Sequence, residues 1–353
     1  MIDTEINPDA RLWPFSRWYP VIAGAVTGLI LRIGLFNDAP GEMMSAMAAA
    51  FIYAGPLAIS AVAVYVAERQ ARRSWKYYAW LGSRANGWAV LAALAVTIEG
   101  LICAIVIVPL FMVIGAAGGL AMGAICQRTN WPRSSVYGFA ALPLILAVVL
   151  PAGAGDTHIG HSMRSVVIKA PAAQVWHELH NAAAIEADEV DRAWMYRIGV
   201  PLPESGVTRQ VGETLVRDVR MGKSIHFAQV ASEWRENSYV KWHYRFEPDS
   251  IPAGALDDHV KIGGHYFDVV DTIYTLTPKG DATELTISMH YRVSTQFNWY
   301  ATRVADLLFN NFEKVILEFY ARRAEAAFTR ASSLPAPHPA SAGLPRQAAL
   351  PRT

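Results

Sequence analysis

The sequence predicts two joined parts: an α-helical membrane bundle, then an α+β domain of antiparallel strands closed by a long C-terminal helix. Three observations predict it. Apolar blocks of bilayer-crossing length fill residues 1–155, apolar and polar residues alternate at period two from His161 onward, and the last regular segment returns to a helical stripe. The change falls near Gly155 with almost no linker. The chain therefore divides into a transmembrane region of about five helices over 1–155, a second domain over 156–330, and a Pro-, Ala- and Ser-rich tail over 331–353 that has little to bury and is expected to be disordered.

Four apolar blocks can be marked, Tyr19–Phe36, Ser45–Ala67, Gly87–Cys126 and Val136–Gly153. The third, at 40 residues, would make about 60 Å of helix against roughly 30 Å of hydrocarbon. It is expected to cross twice, turning at Glu99 and Gly100, with its upstream arm starting near Tyr78 or Trp80. The opening segment carries Asp3, Glu5 and Asp9 before any apolar run, a poor match to a cleaved signal peptide, so the first block reads as a retained span.

Charge supplies an orientation, because short cytoplasmic loops are enriched in Lys and Arg. Arg69, Arg72, Arg73, Lys76 and Arg84 crowd one loop, Arg128 and Arg133 lie in another, and Arg11 and Arg17 precede the first span, whereas 37–44 holds Asp38 and Glu42 and no basic residue. With five spans the N-terminus is cytoplasmic and the second domain lies outside, in the periplasm of a Gram-negative bacterium; a single crossing of the third block reverses this. The expected location is the inner (plasma) membrane, as a multi-pass protein.

Within the apolar text Arg32 and Glu99 are ionisable, and an unpaired charge there is costly. Five spans bring both toward the outer side, where they could pair; a structural ion pair or snorkelling outranks an ion path. Gly115, Gly119 and Gly123 recur every fourth residue, a face that lets helices approach closely. Packing within the bundle is the first reading, a homo-oligomer through that face the second. Trp13, Trp18, Tyr19, Trp75, Tyr77, Tyr78 and Trp80 flank spans, as interfacial anchors do.

A formal net charge of +1 excludes a global basic signal for nucleic acid. The two cysteines, Cys103 and Cys126, both lie in apolar stretches, which argues against a disulfide scaffold and a cysteine-based zinc site. The histidines His158, His161, His177, His180, His226, His243, His259, His265 and His290 show no metal-ligand spacing. No metal and no cofactor is expected.

In the second domain His161–Lys169 reads as a strand. Pro171 suits a helix start, and Val175, Trp176 and Leu179 carry a short helix over 172–180. Val240, Trp242, Tyr244 and Phe246 alternate with Lys241, His243 and Arg245, one apolar face against one wet face. Further strands are expected at 213–220, 224–234, 265–277 and 283–295, and a long helix over about 298–327 with Tyr300, Val304, Leu307, Leu308, Phe312, Val315, Ile316 and Phe319 on its stripe and Arg303, Asp306, Glu313 and Arg322 mostly outside it. Pro248–Gly264 is a long loop, equally a lid or a surface excursion.

At "VVIKAPAAQVWHELHN" (166–181), and again through "GGHYFDVVDTIYTLTP" and "YRVSTQFNWYA", the chain resembles the SRPBCC superfamily of START and Bet v 1-like domains, often described as polyketide cyclase/dehydrase or lipid transport, over roughly 162–323. The resemblance implies a helix-grip fold with a cavity between sheet and helix. It implies no shared catalytic motif, since the family spans carriers, hydratases and cyclases. Trp242, Tyr244, Met289, Tyr291, Tyr300, Val304, Leu308 and Phe312 would line that cavity or fill an ordinary core. Asp268 and Asp271 stand on opposite strand faces, so one could point inward as a base.

Nothing in the sequence demands an enzyme. The first reading is a membrane-anchored START-like module binding a lipid or other hydrophobic small molecule, with membrane lipids and that ligand as partners and no nucleic acid. The second is a cyclase or hydratase acting on a membrane-soluble polyketide or isoprenoid. The third is a non-catalytic membrane assembly or sensor protein.

Overall fold

The structure, a computed structural model, describes residues 17–36, 45–130, 133–150 and 155–333. Five helices come first: α1 Tyr19–Gly34, α2 Ala49–Glu68, α3 Trp75–Ala95, α4 Leu101–Thr129 and α5 Arg133–Val149. The apolar block over 87–126 breaks between α3 and α4, where Thr97 takes φ +58° and Gly100 is extended. Among the described residues α2 and α4 are long and apolar enough to cross a membrane, and α1 and α5 are shorter apolar helices.

Successive reversals gather the end of α1 and the turn between α3 and α4 at one pole of the bundle, where Arg32 Nε meets Glu99 Oε1 at 2.6 Å. The basic loops lie at the other pole, where Arg72 donates to Cys126 O at 2.9 Å and Tyr78 to Glu68 at 2.7 Å. Tyr78 is fully buried rather than an interfacial anchor, whereas Trp18, Tyr19, Trp75 and Trp80 are exposed; Trp13 lies outside the described residues.

The glycines of α4 explain the closest helix pair. A Cβ at Gly115 would overlap Asn86 and Gly82 O, at Gly119 Tyr78 O, and at Gly123 the Tyr78 ring. All three face α3 of the same chain, so that face is occupied internally. Ser60 reaches across to Gly115 O at 2.8 Å and accepts from Asn86 at 2.9 Å, cross-linking α2, α3 and α4 through polar groups that the apolar surroundings leave no other outlet.

The second part runs β1 His158–Ile168, α6 Ala172–His180, β2 Asn181–Ala182, α7 Ala187–Val190, α8 Trp194–Arg197, β3 Pro203–Val211, β4 Thr214–Met221, β5 Ile225–Arg235, β6 Tyr239–Arg245, a single 3-10 turn Asp258–Val260, β7 Phe267–Lys279, β8 Ala282–Val293 and α9 Asn298–Ser333. The eight strands form one sheet, antiparallel at each pairing, in the order β1-β8-β7-β6-β5-β4-β3-β2. In β8 the alternation is complete: Thr283, Leu285, Ile287, Met289, Tyr291 and Val293 are buried and the residues between them are not. β3 has no counterpart in the sequence reading, because its text, PESGVTRQV, carries little apolar alternation; pairing with β4 holds it.

Helix α9 lies in the sheet's concavity through Phe309, Ile316, Phe319 and Tyr320. Its stripe differs from expectation at two positions. Leu307 is 54% exposed, and Glu313, expected outside the stripe, is fully buried and accepts from Ser162 of β1 at 2.6 Å. Burial pushes the Glu313 carboxyl above its usual range.

The two parts share a seam. Phe297, just before α9, is buried in an apolar cluster with α1, α2 and α4 residues. Tyr300 donates to Val106 O at 2.6 Å, Trp299 to Tyr53 at 2.8 Å, and Ser45 and Tyr266 share a hydrogen bond at 3.0 Å.

Candidate ligand cavity

A cavity of about 360 Å³ lies between the sheet and α9 and continues into the bundle, within the range of small-molecule sites. Its walls come from both parts: Met289, Val304, Leu308 and Phe312 from the gripped core, Phe51, Ile52, Val90, Ile107 and Phe111 from the helices. Ala301, in the first turn of α9, lies on the wall and packs against both apolar clusters, which places it at the passage between them.

Of the residues the sequence nominated, Tyr244, Met289, Val304, Leu308 and Phe312 line the cavity, as do Arg32 and Glu99 at its bundle end. Trp242, Tyr291 and Tyr300 do not. Trp242 is fully buried under Arg217 and beside the His180 ring. Tyr291 occupies the room left by the absent Cβ of Gly160, its strand partner, and donates to Asp306 of α9. Tyr300 is committed to the seam.

Asp268 and Asp271 also lie away from the cavity. Asp268 accepts from Gly263 N at 2.8 Å. A β-bulge between Val269 and Asp271 shifts the phase of β7, so Thr272 and Tyr274 turn inward while Asp271 pairs with His290 on the outer face, at 2.6 Å, with Lys241 Nζ at 3.3 Å. Strict alternation could not foresee that shift.

The polar pole of the cavity is a residue the sequence reading passed over. Arg217 of β4 is buried, donates to Leu179 O and, at 3.3 Å, to Gln229, its partner across β5, and stacks over Trp242 at 4.9 Å. Its Nε is buried without a hydrogen-bond partner, and no carboxylate pairs with it among the described residues. A guanidinium so placed favours a bidentate anionic oxygen group. The signal was present, since Leu215, Arg217, Val219 and Met221 share one strand face and three of them are apolar. Around it Tyr196, Tyr244 and Tyr274 line the wall, and burial raises all three phenols, keeping them neutral donors.

His180, at the end of α6, is held neutral. Burial first, and the Arg217 charge second, lower its pKa from 6.5 to about 4. The folded state thus binds fewer protons than the unfolded one between these values. Stability is complete above about pH 6.5 and is lost by roughly 3 kcal/mol as pH falls toward about 4. Thermal unfolding of the full chain across this range should show the loss, and His180→Gln should flatten it; an unchanged slope in the variant removes His180 as its source.

The loop over 248–264 is neither a free lid nor a surface excursion: Leu256, His259, Val260 and Ile262 line the cavity, and Asp257 docks on the start of α4. Gly100, the residue before α4, has no side chain to cap the helix; Asp257 does so in trans, accepting from Cys103 N at 3.4 Å, and a Cβ on Gly100 would overlap that carboxylate. Burial acts to raise the Asp257 pKa, but hydrogen bonds to His259 and Cys103 outweigh it and hold the carboxyl at about 2. The same turn brings His259, Cys103 and Glu99 together, a grouping that no local spacing could show because 156 residues separate the first two.

A long C-terminal helix gripped by a curled antiparallel sheet, with a helical region before it, defines a helix-grip domain. No family model matches the sequence, and no curated protein matches it. Solved structures similar to part of the chain include the ZhuI aromatase/cyclase from Streptomyces sp. R1128 (16% identity, 50% of this chain and 99% of that one, TM-score 0.32). Others are a START superfamily protein from Mycobacterium smegmatis (15%, 48% and 98%, TM-score 0.30) and norcoclaurine synthase from Thalictrum flavum (10%, 47% and 86%, TM-score 0.29).

Proposed function

We propose that this protein is a membrane-anchored START-like binding module that takes up a hydrophobic molecule bearing an anionic or strongly polar oxygen group and exchanges it with the bilayer through the helical bundle. The observation that carries this reading is a cavity walled by both parts, with the buried Arg217 on its wall. An apolar ligand would lie along the chamber with its oxygen group at the guanidinium. Anchoring keeps the domain's local concentration high without tight affinity. Asp268 and Asp271, which the cyclase reading would employ, lie off the cavity, and a chamber of this size is not the filled core an assembly role needs.

Bilayer embedding is supported by the outward faces of the helices, where Ile33 (64%), Val113 (69%) and Val148 (70%) are among many exposed apolar side chains. Basic loops at the pole away from the seam support, through the positive-inside rule, a helix-grip domain outside the cytoplasm. A reporter fused after Ser333 should then be silent in the cytoplasm. Native mass spectrometry of the full chain, released from membranes in mild detergent, should find one apolar molecule per chain. Ala301→Trp should lose it and melt no higher than ligand-free wild type, because the ring narrows the passage. Wild-type chains that are uniformly empty after membrane extraction would overturn the proposal.

A further inference from the structure

At the seam, three side chains of different donor type converge on the wall of the cavity. Cys103 sits in the first turn of α4, Glu99 just before that helix, and His259 in the 3-10 turn, and one ligand atom from each lies within 4.8 Å of the other two. Cys103 Sγ is 3.6 Å from His259 Nδ1, and Glu99 Oε2 is 4.0 Å from the same nitrogen. Metal–sulfur and metal–nitrogen bonds of about 2.3 and 2.0–2.1 Å at a tetrahedral angle put sulfur and nitrogen about 3.6 Å apart. We infer that Glu99, Cys103 and His259 form a divalent-metal site, with zinc the ion its sulfur, nitrogen and oxygen donors suit best.

The surrounding residues orient these donors. Arg32 holds Glu99 through Oε1 at 2.6 Å, leaving Oε2 on the side of the imidazole. Asp257 ties the other two together: one oxygen accepts from His259 N at 3.1 Å and the other from Cys103 N at 3.4 Å. Asp257 Oδ1 is also 3.3 Å from His259 Nδ1, within reach of the same ion. The N-terminal turn of α4 favours the thiolate that a metal requires. His259 and Asp257 are almost fully buried, and Glu99 is 15% exposed. Glu99, Cys103 and His259 all line the cavity, so a three-ligand ion there would turn its open position toward the ligand chamber. Neither part of the molecule contains the site alone, and metal binding would lock the helix-grip domain to the bundle.

The test uses the full chain in detergent, stripped with a chelator and titrated with Co²⁺ alone. One equivalent should bind with a thiolate-to-cobalt charge-transfer band, which Cys126→Ser retains and Cys103→Ser abolishes. Asp257→Asn should weaken binding by about 10–100-fold, as loss of an orienting carboxylate does. No saturable band, or a band that persists in folded Cys103→Ser, overturns the site and leaves a hydrogen-bonded cluster only. Should Cys103→Ser fail to fold, wild-type protein decides: Zn²⁺ should slow maleimide labelling of Cys103 and chelator restore it, and labelling indifferent to Zn²⁺ overturns the site.

Discussion

Arg217→Met is expected to weaken retention of the bound molecule by at least about ten-fold while changing the stability of the folded chain by no more than about 1 kcal/mol. The two effects share one cause. Arg217 is a buried cation whose compensation is a backbone carbonyl, an amide oxygen and an indole face rather than a carboxylate. Desolvating a charge costs several kcal/mol, and partial compensation recovers only part of it. Methionine has no charge and a flexible stem that repacks easily, so relief of that desolvation offsets the donors lost to Leu179 O and Gln229 Oε1 in the empty protein. The loaded protein loses the charge-assisted bonds at the polar pole between sheet and helix. Arg217→Lys, a point charge without the planar fork, should fall between the two. Melting curves with and without extracted ligand, beside native mass spectra, measure both quantities. A variant that unfolds, or one that keeps its ligand, would show that the guanidinium serves the fold instead.

Gly119→Ala should cost about 3 kcal/mol in the bundle, although in an exposed helix the same change gains about 1 kcal/mol of helix propensity. The sign turns on a single approach. A Cβ at Gly119 would overlap Tyr78 O and crowd Gly82 Cα, which are backbone atoms of α3 that cannot swing aside. The helices must separate, and the polar link from Asn86 through Ser60 to Gly115 O would stretch with them. Gly138 of α5 is the internal control, with nothing near the position of its Cβ, so Gly138→Ala should be neutral or mildly stabilising. Thermal unfolding in detergent compares the pair, and a G119A melting point at or above that of wild type would refute the close-approach account.

Much of the architecture was legible because its signals are local. Block length against bilayer thickness separated α3 from α4 at Glu99 and Gly100, and strict alternation over 282–293 marked the buried face of β8. α6 could be read from Pro171 and three apolar positions. β3 was not legible because its residues carry almost no alternation and pairing creates it. Glu313 was placed outside the stripe by its charge, yet a hydroxyl from β1 lets it sit inside.

For the site, residue type and face sufficed to nominate Tyr244, Met289, Val304, Leu308 and Phe312. They could not say that a bulge turns Asp271 outward, or that Arg217 on an apolar strand face is a cavity pole rather than an irregularity. The sequence by itself determined that helices of bilayer-crossing length precede an antiparallel sheet and a long helix, because hydrophobic periodicity and length act over neighbouring residues. Only the tertiary structure decided that one cavity runs through both parts and that Glu99, Cys103 and His259 meet at its wall, because contacts between residues 156 positions apart are set by how the seam packs.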